Sequence, residues 1–527
     1  MSIPLPPLIN GPGVYIQELT NPVQPIVGVP TSVAAFVGLA PQGVVDYPYQ
    51  VNSWADYESQ FGGLDSDYPL SYAVYLFFLN GGTTALVVRN NNPADTTAQA
   101  TLTGSNIMLA ANSPGTWGNG LSAIVDTKNL VNPDVNQFNL TIQWQTQGIQ
   151  EAYPGASLNP GTAQYLPTLL AASQLVTPVT PNAWGTSLPT ASQLDSNGNP
   201  IPQDFSPSES SPPSSPPSSS PSPTLVLGDP GQKTGIYALT KADIFNILCL
   251  PVDPAATYPL ADVLGPAVEF CVQQRAMLIV DPPSSWTQYP LEFETITQTY
   301  PPLSPLSANA AVYYPNLALT DSTGANFNAG PCGAVAGVWA ATDSSRGVWK
   351  APAGTAAAIT GIAGFVTPGP EPGQTVVVDD GESGMLNPLA VNALRTMPLV
   401  GPVVWGARTT VGVDQNPNQW KYLPVRRLAL YIEESLRRGT LWAVFEPNDE
   451  PLWSSLRLNV TTFMQGLFQQ GAFQGTTPAD AYLVQCDANN NPQNQIDLGI
   501  VNILVGFAPL YPAEFVIINI QQQAGQS

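Results

Sequence analysis

Two apolar segments that flank a helical stripe constrain the fold of this chain more than any other feature. Residues 244–251 and 276–282 are almost continuously apolar, which is typical of buried strands in a parallel sheet. Residues 261–274 between them place a set of apolar side chains on one helical face: Val263, Leu264, Ala267, Val268 and Cys271. Strand, helix and strand at this spacing predict a right-handed βαβ crossover, and therefore an α/β fold.

A similar alternation of strand and helix is predicted near the amino terminus. Residues 31–38 indicate a buried strand, residues 70–79 a helix that ends at Asn80-Gly81-Gly82, and residues 85–89 a second strand. Prolines between residues 20 and 30 prevent a helix there, because proline cannot donate a backbone hydrogen bond. Residues 20–30 are therefore predicted to form an extended connector.

The middle of the chain has a different composition. Between about residue 100 and residue 235, short alternating runs such as residues 138–144 predict β-strands with one face exposed to water. Residues 202–223 hold 8 Pro and 10 Ser in 22 positions. Such a segment cannot bury apolar surface, so we expect a solvated loop on an outer domain. The alternative is a docking segment for a proline-binding partner.

Two long helices are predicted towards the carboxyl terminus. The first has an apolar stripe and ends at Gly439, with two acid–base pairs four residues apart, Glu433 with Arg437 and Glu434 with Arg438. The second begins at an N-cap in residues 448–451 and ends at Gly471. Residues 12–19 and 514–520, near the two chain ends, are β-prone and have no local partner strand.

The composition excludes several classes of function. The chain contains no His, so every catalytic triad, metal site or acid–base pair that uses imidazole is excluded. With 15 Lys plus Arg against 37 Asp plus Glu the net charge is −22, which argues against nucleic acid or an anionic membrane as the main partner. No apolar run reaches the roughly 18 residues of a membrane span. Residues 1–4 lack the features of a signal peptide, so we expect synthesis and folding in the cytoplasm.

Motifs that carry chemistry are incomplete. Residues 228–234 resemble a phosphate-binding loop, but Gln232 occupies the position before the Lys that requires Gly. Residues 487–498 resemble a calcium loop with Pro and Leu at two essential positions, so an Asn-rich turn is favoured. Three acids lie close together in the sequence at Asp379, Asp380 and Glu382. They could be paired carboxylates for acid–base chemistry or a cation site, but we expect a solvated turn.

Four cysteines without C-x-x-C spacing predict buried thiols: Cys249, Cys271, Cys332 and Cys486. No metal or cofactor is predicted.

Positive charge is concentrated in one part of the chain. Residues 1–240 hold 3 Lys or Arg against 14 acids, whereas residues 395–457 hold 8 against 6. Either these residues pair within helices, as Arg437 and Arg438 do in part, or they form a contact surface for an acidic partner. The candidate members of that surface are Lys421, Arg426, Arg427, Arg437 and Arg438.

Several segments, in order along nearly the whole chain, resemble the tail sheath proteins of contractile phages and related contractile injection systems. They are Pro12–Ile16 with Glu18, Ser113–Asn119, Gly337–Asp343, Gly347–Gly354, Val404–Thr409, Val425–Leu428 with Ile432 and Glu433, Phe445–Asn448, Ala508–Pro509 and Pro512–Phe515. Residues 120–225 match nothing specific.

The resemblance implies a multi-domain α/β fold. In this chain it would comprise an N-terminal arm (1–30), the N-terminal part of the sheath core (31–100), a β-rich outer insertion (101–235) with its Pro/Ser-rich loop (202–223), a non-catalytic subtilisin-like α/β domain (236–375), a C-terminal sheath domain facing an inner tube (376–510) and a C-terminal arm (511–527). With no His, the subtilisin-like label is architectural only.

The resemblance also implies a structural protein and no enzyme. Sheath subunits form hexameric rings that stack around an inner tube and contract to drive the tube through a target envelope. The terminal arms would add strands to neighbouring subunits. The arm residues are Val14, Tyr15, Ile16, Glu18, Phe515, Val516, Ile517, Ile518 and Ile520.

The implied partners are other copies of the chain, the tube protein, baseplate and tail terminator proteins, and possible sibling sheath proteins, with neither nucleic acid nor membrane insertion. The particle would be a phage tail or a phage-tail-like injection device. The alternatives are a secreted acidic adhesin-type structural protein, suggested by the acidity and the Ser/Pro segment, and a peptidase of subtilisin type.

Overall fold

A computed structural model describes residues 25–65, 67–90, 97–128, 130, 137–145, 148–207, 226–251, 260–292, 296, 306–320, 324, 326–369 and 373–515. The chain forms two compact units. We call residues 30–428 with 512–527 the sheet unit, and residues 1–29 with 429–511 the C-terminal unit. Each unit is treated separately below.

The strands, in chain order, are β1 (Ala34–Leu39), β2 (Tyr49–Val51), β3 (Ala85–Asn90), β4 (Ala98–Thr101), β5 (Met108–Ala111), β6 (Leu121–Asp126), β7 (Gln137–Trp144), β8 (Ile149–Ser157), β9 (Val176–Val179), β10 (Gln203–Asp204), β11 (Ser206–Pro207), β12 (Ile247–Cys249), β13 (Met277–Val280), β14 (Ala310–Tyr314), β15 (Asn316–Thr320), β16 (Asn326–Ala329), β17 (Gly364–Val366), β18 (Val391–Met397), β19 (Gly401–Val404), β20 (Tyr482–Gln485) and β21 (Leu504–Phe507).

The α-helices are α1 (Trp54–Phe61), α2 (Pro69–Leu79), α3 (Leu166–Leu170), α4 (Leu260–Gln274), α5 (Cys332–Arg346), α6 (Asp380–Leu386), α7 (Leu423–Gly439), α8 (Glu450–Gln469), α9 (Pro478–Ala481) and α10 (Gln493–Asp497).

An eight-stranded sheet forms the centre of the sheet unit, with the strand order β19-β18-β14-β13-β12-β1-β3-β2. The six inner strands are parallel, and the short edge strands β2 and β19 are antiparallel to their neighbours. Strand β1 pairs with β3 on one side and with β12 on the other, and its residues 34–38 are buried. The predicted strand–helix–strand unit is confirmed, because β12 and β13 are adjacent parallel strands joined through α4.

Two helices on the sheet approach each other closely because glycine replaces a side chain at their contact. A Cβ added to Gly333 of α5 would lie 2.1 Å from the carbonyl oxygen of Ala73 in α2. At Gly337, which belongs to a motif of the sheath resemblance, the added atom would lie 2.6 Å from the carbonyl oxygen of Phe77. Both distances are shorter than any normal contact, so these two positions exclude every larger residue at this helix spacing.

The region between β3 and β12 folds into two four-stranded antiparallel sheets, β10-β6-β7-β8 and β11-β4-β5-β9. Buried and half-buried residues alternate along all of β7, as the sequence pattern predicts. The buried residues of this region form one core, to which several strands and three tryptophans contribute: among them are Leu109, Trp117, Leu121, Phe138, Leu140, Ile142, Trp144, Val176 and Trp184.

Arg89, at the carboxyl end of β3, connects these two sheets to the eight-stranded sheet. Its side chain is buried and donates four hydrogen bonds to backbone carbonyls. They run from Nε to Ala40 (2.7 Å), from Nη1 to Gly43 (2.9 Å), and from Nη2 to Pro114 (2.7 Å) and Pro41 (3.3 Å). The guanidinium therefore joins the loop after β1 to the loop after β5.

The Ser113–Asn119 motif is the second half of this junction. The Ser113 hydroxyl accepts hydrogen bonds from the Gly43 amide (3.2 Å) and from the Trp117 indole (3.1 Å). Gly115 has a φ of +130°, and a Cβ there would lie 3.0 Å from the Arg89 guanidinium. Glycine at position 115 therefore lets the backbone pass close to the buried arginine.

Asp281 follows β13 and sits at the amino end of α5. Its Oδ1 accepts a hydrogen bond from the Cys332 amide at 2.7 Å. Its Oδ2 is inaccessible and has no hydrogen-bond partner among the described residues. Burial, opposed by the Cys332 hydrogen bonds, raises the pKa of this carboxyl to about 7.

All four cysteines are buried thiols, as predicted.

The C-terminal unit contains the second long predicted helix, and the predicted cap is confirmed: the Asp449 carboxylate accepts a hydrogen bond from the Leu452 amide. A small core lies under α8, formed by Leu452, Trp453, Leu456 and Cys486. Strands β20 and β21 pair with each other as an antiparallel hairpin.

The domain boundaries predicted from the sequence stay predictions. Strands of one sheet come from three of the predicted segments, 31–100, 236–375 and 376–510. The segment 376–510 is shared between the two units, which divide at residues 428 and 429.

We predict that Arg89→Met lowers the free energy of unfolding of the sheet unit by about 3–5 kcal/mol, because several backbone carbonyls lose a charged donor at once. Chemical denaturation followed by Trp fluorescence measures the change. Arg346→Met, on the exposed end of α5, is the control and should change stability by less than about 0.5 kcal/mol. Equal stability of the two variants would contradict the structural role of Arg89.

We also predict that Asp281 makes the protein less stable as the pH rises. Its pKa is raised on folding, so stability is complete below the unfolded pKa and is lost as the pH rises to about 7. Between about pH 4 and 7 the loss from this group is about 1.4 kcal/mol per pH unit. Asp281→Asn should remove this slope, whereas Asp262→Asn, exposed on α4, should retain it. Parallel pH profiles for wild type and Asp281→Asn would contradict the assignment.

Candidate assembly surfaces

The five basic residues predicted to form one contact surface lie in different environments. Lys421, Arg426 and Arg427 belong to the sheet unit, and Arg437 and Arg438 to the C-terminal unit. Each has a partner within the chain. Arg426 and Arg427 bind Asn309 and Asp343, which are 117 and 84 positions away, where helical spacing gives no signal.

Arg427 is part of a buried ion pair. Its guanidinium binds both carboxylate oxygens of Asp343, at 2.9 and 2.6 Å, and each of the two side chains is only 3% exposed. The guanidinium also lies 4.7 Å from the ring centre of Trp339 and donates to the Thr31 carbonyl. This ion pair connects the amino-terminal part of α7, which belongs to the sheet unit, to α5. The Arg427 charge is therefore buried and is not part of the surface of the sheet unit.

Arg426 and Lys421 are partly exposed. The Arg426 guanidinium donates to the Asn309 side-chain oxygen at 3.0 and 3.2 Å and lies 5.0 Å from the ring centre of Trp420. The Lys421 ammonium pairs with Asp414 at 2.7 Å. These contacts fix the position of both side chains, and part of each side chain remains exposed to solvent.

Arg437 and Arg438 share one carboxylate at the end of α7. Glu434 binds Arg437 at 2.6 Å and Arg438 at 2.7 Å, and hydrogen bonds from Arg437, with those from Arg438, lower the pKa of Glu434 to about 2 despite partial burial. The predicted pair of Glu434 with Arg438 is confirmed. With 45% of its side chain exposed, Arg437 is the most accessible of the four candidates whose ion pairs are measured.

Most of the predicted arm residues lie outside the described residues: Val14, Tyr15, Ile16, Glu18, Val516, Ile517, Ile518 and Ile520. Phe515 is described and is 76% exposed. The points where both arms leave the described chain are, however, well defined.

The C-terminal arm leaves from a buried arginine. Arg408 binds Glu514 in a bidentate pair, from Nε at 2.7 Å and from Nη2 at 2.5 Å, and also pairs with Asp414 at 2.9 Å. The Arg408 side chain is 1% exposed and the Glu514 side chain 17%. Two charge-assisted bonds in fixed geometry give a firm attachment one residue before Phe515. The residues belong to two motifs of the sheath resemblance, but nothing in their spacing predicts that they pair.

The N-terminal arm leaves along α7 in the C-terminal unit. The Val29 amide donates to the Ser435 hydroxyl at 3.1 Å. Gly28 lies so close to Tyr431 that an added Cβ would be 2.0 Å from the phenol oxygen, and Gly439 contacts Ile26 in the same way. Glycine at these positions lets the connector lie directly on the helix.

The hairpin of β20 and β21 exposes apolar side chains. Leu483 is 54% exposed and Leu504 is 51% exposed. Within the described chain the two strands pair only with each other. A two-stranded sheet is marginal in water, and no other described strand pairs with its outer edges. Sheet edges of this kind are templates for strand addition.

Phe445 is an exposed aromatic residue that sequence reasoning did not single out as unusual. It is fully exposed and has a φ of +72°, a conformation that is rare for a large side chain. The surrounding loop is held by backbone hydrogen bonds, including that from Glu446 to Ala443 (3.2 Å). A sequence pattern contains no signal for such exposure, because phenylalanine is usually buried.

The acidic cluster at residues 379–382 forms a helix start. Asp379 accepts a hydrogen bond from the Glu382 amide (2.7 Å), and Glu382 accepts one from the Asp379 amide (3.1 Å). This capping box starts α6, and Asp380 pairs with Arg395 at 2.8 Å. The prediction of a solvated turn is therefore wrong. These residues begin a helix, and the reciprocal cap provides hydrogen-bond acceptors for its first backbone amides.

The described residues contain no group of three or more acids or thiols arranged to hold a metal ion. The Asn-rich turn at 487–491 is confirmed by local hydrogen bonds, such as that from the Asn489 amide to Asp487 (2.8 Å). Within the described chain, no helix combines the length and apolarity needed to cross a bilayer.

The comparisons with known proteins agree with this architecture. Residues 415–523 match the family model described as Phage tail sheath C-terminal domain. No curated protein matches the chain. The sequence resemblance to tail sheath proteins is confirmed by the family match and by solved structures.

The solved structures match over nearly the full length. The sheath complex of an extracellular contractile injection system (PVC) in the contracted state has a TM-score of 0.58 at 22% identity, over 98% of this chain and 99% of that chain. The contracted helical sheath of the anti-feeding prophage has a TM-score of 0.58 at 22% identity, over 98% and 100%. The sheath tail protein of Listeria innocua has a TM-score of 0.59 at 15% identity, over 92% and 96%. The chain thus has the mixed α/β fold of these proteins.

We predict that Arg427→Met and Asp343→Asn each lower the free energy of unfolding by about 3–5 kcal/mol. Each substitution leaves the other member of the ion pair as an uncompensated buried charge. The double variant Arg427→Met with Asp343→Asn should lose clearly less than the sum of the two single changes. Chemical denaturation followed by the total tryptophan fluorescence measures each stability. Strictly additive effects would contradict a buried pair.

Proposed function

We propose that this protein is the subunit of a contractile sheath, a structural protein without catalytic activity. The end-to-end likeness to two sheath assemblies in the contracted state is the observation that carries the proposal. Copies of the chain would stack as hexameric rings around an inner tube and contract to drive it through a target envelope. The sheath would belong to a phage tail or a phage-tail-like injection device assembled in the cytoplasm, with baseplate and terminator proteins as further partners.

In this proposal the two arms connect neighbouring subunits by strand addition. The open hairpin edges of β20 and β21 offer backbone groups, and the β-prone residues 14–18 and 515–520 offer matching strands. The attachments at Glu514 and Val29 support this, because a connector under tension needs firm ends. Main-chain bonds between subunits let the lattice rearrange without separating.

The outward and inward faces are assigned by charge. Arg437, Arg438, Lys421 and Arg426 are the candidates for contact with an acidic inner tube, whereas Arg427 acts within the fold. Residues 101–235, with few basic residues, form the proposed outer domain, and residues 236–375 the subtilisin-like part. Contraction would then be a rearrangement of rigid bodies joined by extended arms.

We predict that deletion of residues 1–19 leaves a folded, soluble protein that does not form ordered sheath. Loss of strand addition should reduce the polymer fraction about tenfold or more, since about 1.4 kcal/mol of lost contact energy is tenfold in affinity. Sedimentation and electron microscopy measure this fraction.

Deletion of residues 208–223 in the Pro/Ser-rich segment is the matched control and should assemble normally. Normal polymerisation of the 1–19 deletion would contradict strand exchange.

A further inference from the structure

The sheet unit has a groove of about 720 Å³ beside the amino ends of β1 and β3. Its lining includes two tyrosines and two prolines, Tyr47, Tyr49, Pro30 and Pro48, with Leu86 among the aliphatic residues. The lining also includes polar residues, which are Ser32, Gln50, Thr83, Thr84, Lys241 and Asp243. We call it the tyrosine groove. The assembly contacts described above do not involve it.

The tyrosine groove is held in shape before any ligand binds. The ring of Tyr49 packs edge-on against Phe61 with 5.9 Å between ring centres. Asp46, next to Tyr47, accepts hydrogen bonds from the Gly235 amide (2.7 Å) and, at its carbonyl, from the Lys241 ammonium (2.8 Å). Tyr47 is nevertheless 51% exposed. A fixed backbone thus presents an accessible aromatic ring, which lowers the entropy lost on binding.

Grooves lined by tyrosine and proline bind polyproline II segments, whose rings and apolar side chains stack on the aromatic faces. The chain itself carries such a segment at residues 3–8, Ile-Pro-Leu-Pro-Pro-Leu. Its prolines lack amide donors and disfavour helix and sheet, and it has no charged side chain to desolvate. Apart from proline, the Pro/Ser-rich residues 207–223 have no apolar side chain to pack against the tyrosine rings.

The length of the N-terminal segment allows it to reach another subunit. The described chain begins at residue 25, and residue 8 is 22 positions before Pro30. At about 3.3 Å per extended residue this distance is about 70 Å. A unit of about 400 residues has a radius of gyration of only about 21 Å. If residues 14–18 add to a neighbouring hairpin, residues 3–8 extend beyond that contact.

We propose that the tyrosine groove of one subunit binds residues 3–8 of a second copy of the chain. The proposal rests on the proposed function, because the sheath lattice brings the copies together. It adds an apolar side-chain contact at the tip of the arm to the main-chain pairing further along it.

Photo-crosslinking in the full-length protein tests the proposal. A photoreactive phenylalanine analogue replaces Tyr47, and equal amounts of isotopically light and heavy protein are mixed, assembled and irradiated. Mass spectrometry should identify a crosslink between position 47 and residues 1–12, with half of the crosslinked pairs mixed in isotope. The same analogue at Leu194, which is 52% exposed, is the control and should not label residues 1–12.

Two proline variants test the ligand. Pro6→Ala with Pro7→Ala should reduce the crosslink yield at position 47 at least several-fold, whereas Pro212→Ala with Pro213→Ala should leave it unchanged. Crosslinks to residues 207–223, to another protein or to no peptide would overturn the proposal, and isotopically unmixed pairs would overturn binding between copies. Sheath cylinders seen by electron microscopy in the same sample separate such a failure from failure of the proposed function.

Discussion

The pairing of β1 with both β3 and β12 is the constraint on which the rest of the structure depends. The chain leaves the sheet after Asn90, forms two further sheets, and returns at Ile247 on the other side of β1. Because the three strands are parallel, the chain leaves at the carboxyl end of β3 and re-enters at the amino end of β12. Arg89 fixes the junction with the intervening region, because its guanidinium binds carbonyls from the loop after β1 and from the loop after β5.

Buried arginines also reduce the positive charge that is accessible on the surface of the chain. The sequence count gives residues 395–457 a surplus of two positive charges, which suggested a basic surface. Two of those arginines, Arg408 and Arg427, have side chains 1% and 3% exposed and bind acids inside the fold. The accessible positive charge is therefore smaller than the count. In the proposed sheath, contact with an acidic tube would fall to the remaining partly exposed residues.

The sequence predicts the elements that depend on local patterns and misses contacts between distant segments. Apolar periodicity and caps predict β12, α4, β13 and both long helices, because these signals lie within a few residues of each other. The partners of Arg427 and Arg408 lie 84 and 106 positions away, where no spacing rule applies. The acids at 379–382 start a helix instead of a solvated turn, because Asp379 and Glu382 cap each other's backbone amides. The exposure of Phe445 has no sequence pattern at all.

We propose that the sheet unit and the two arms attached to the chain together form a sheath subunit that polymerises. In the proposed sheath, the attachments at Val29 and Glu514 would keep subunits connected while their packing changes. Electron microscopy of the purified full-length protein under assembly conditions tests this claim most directly. The account predicts hollow, transversely striated cylinders with sixfold symmetry in projection. Dispersed monomers or flat sheets at every protein concentration would contradict it.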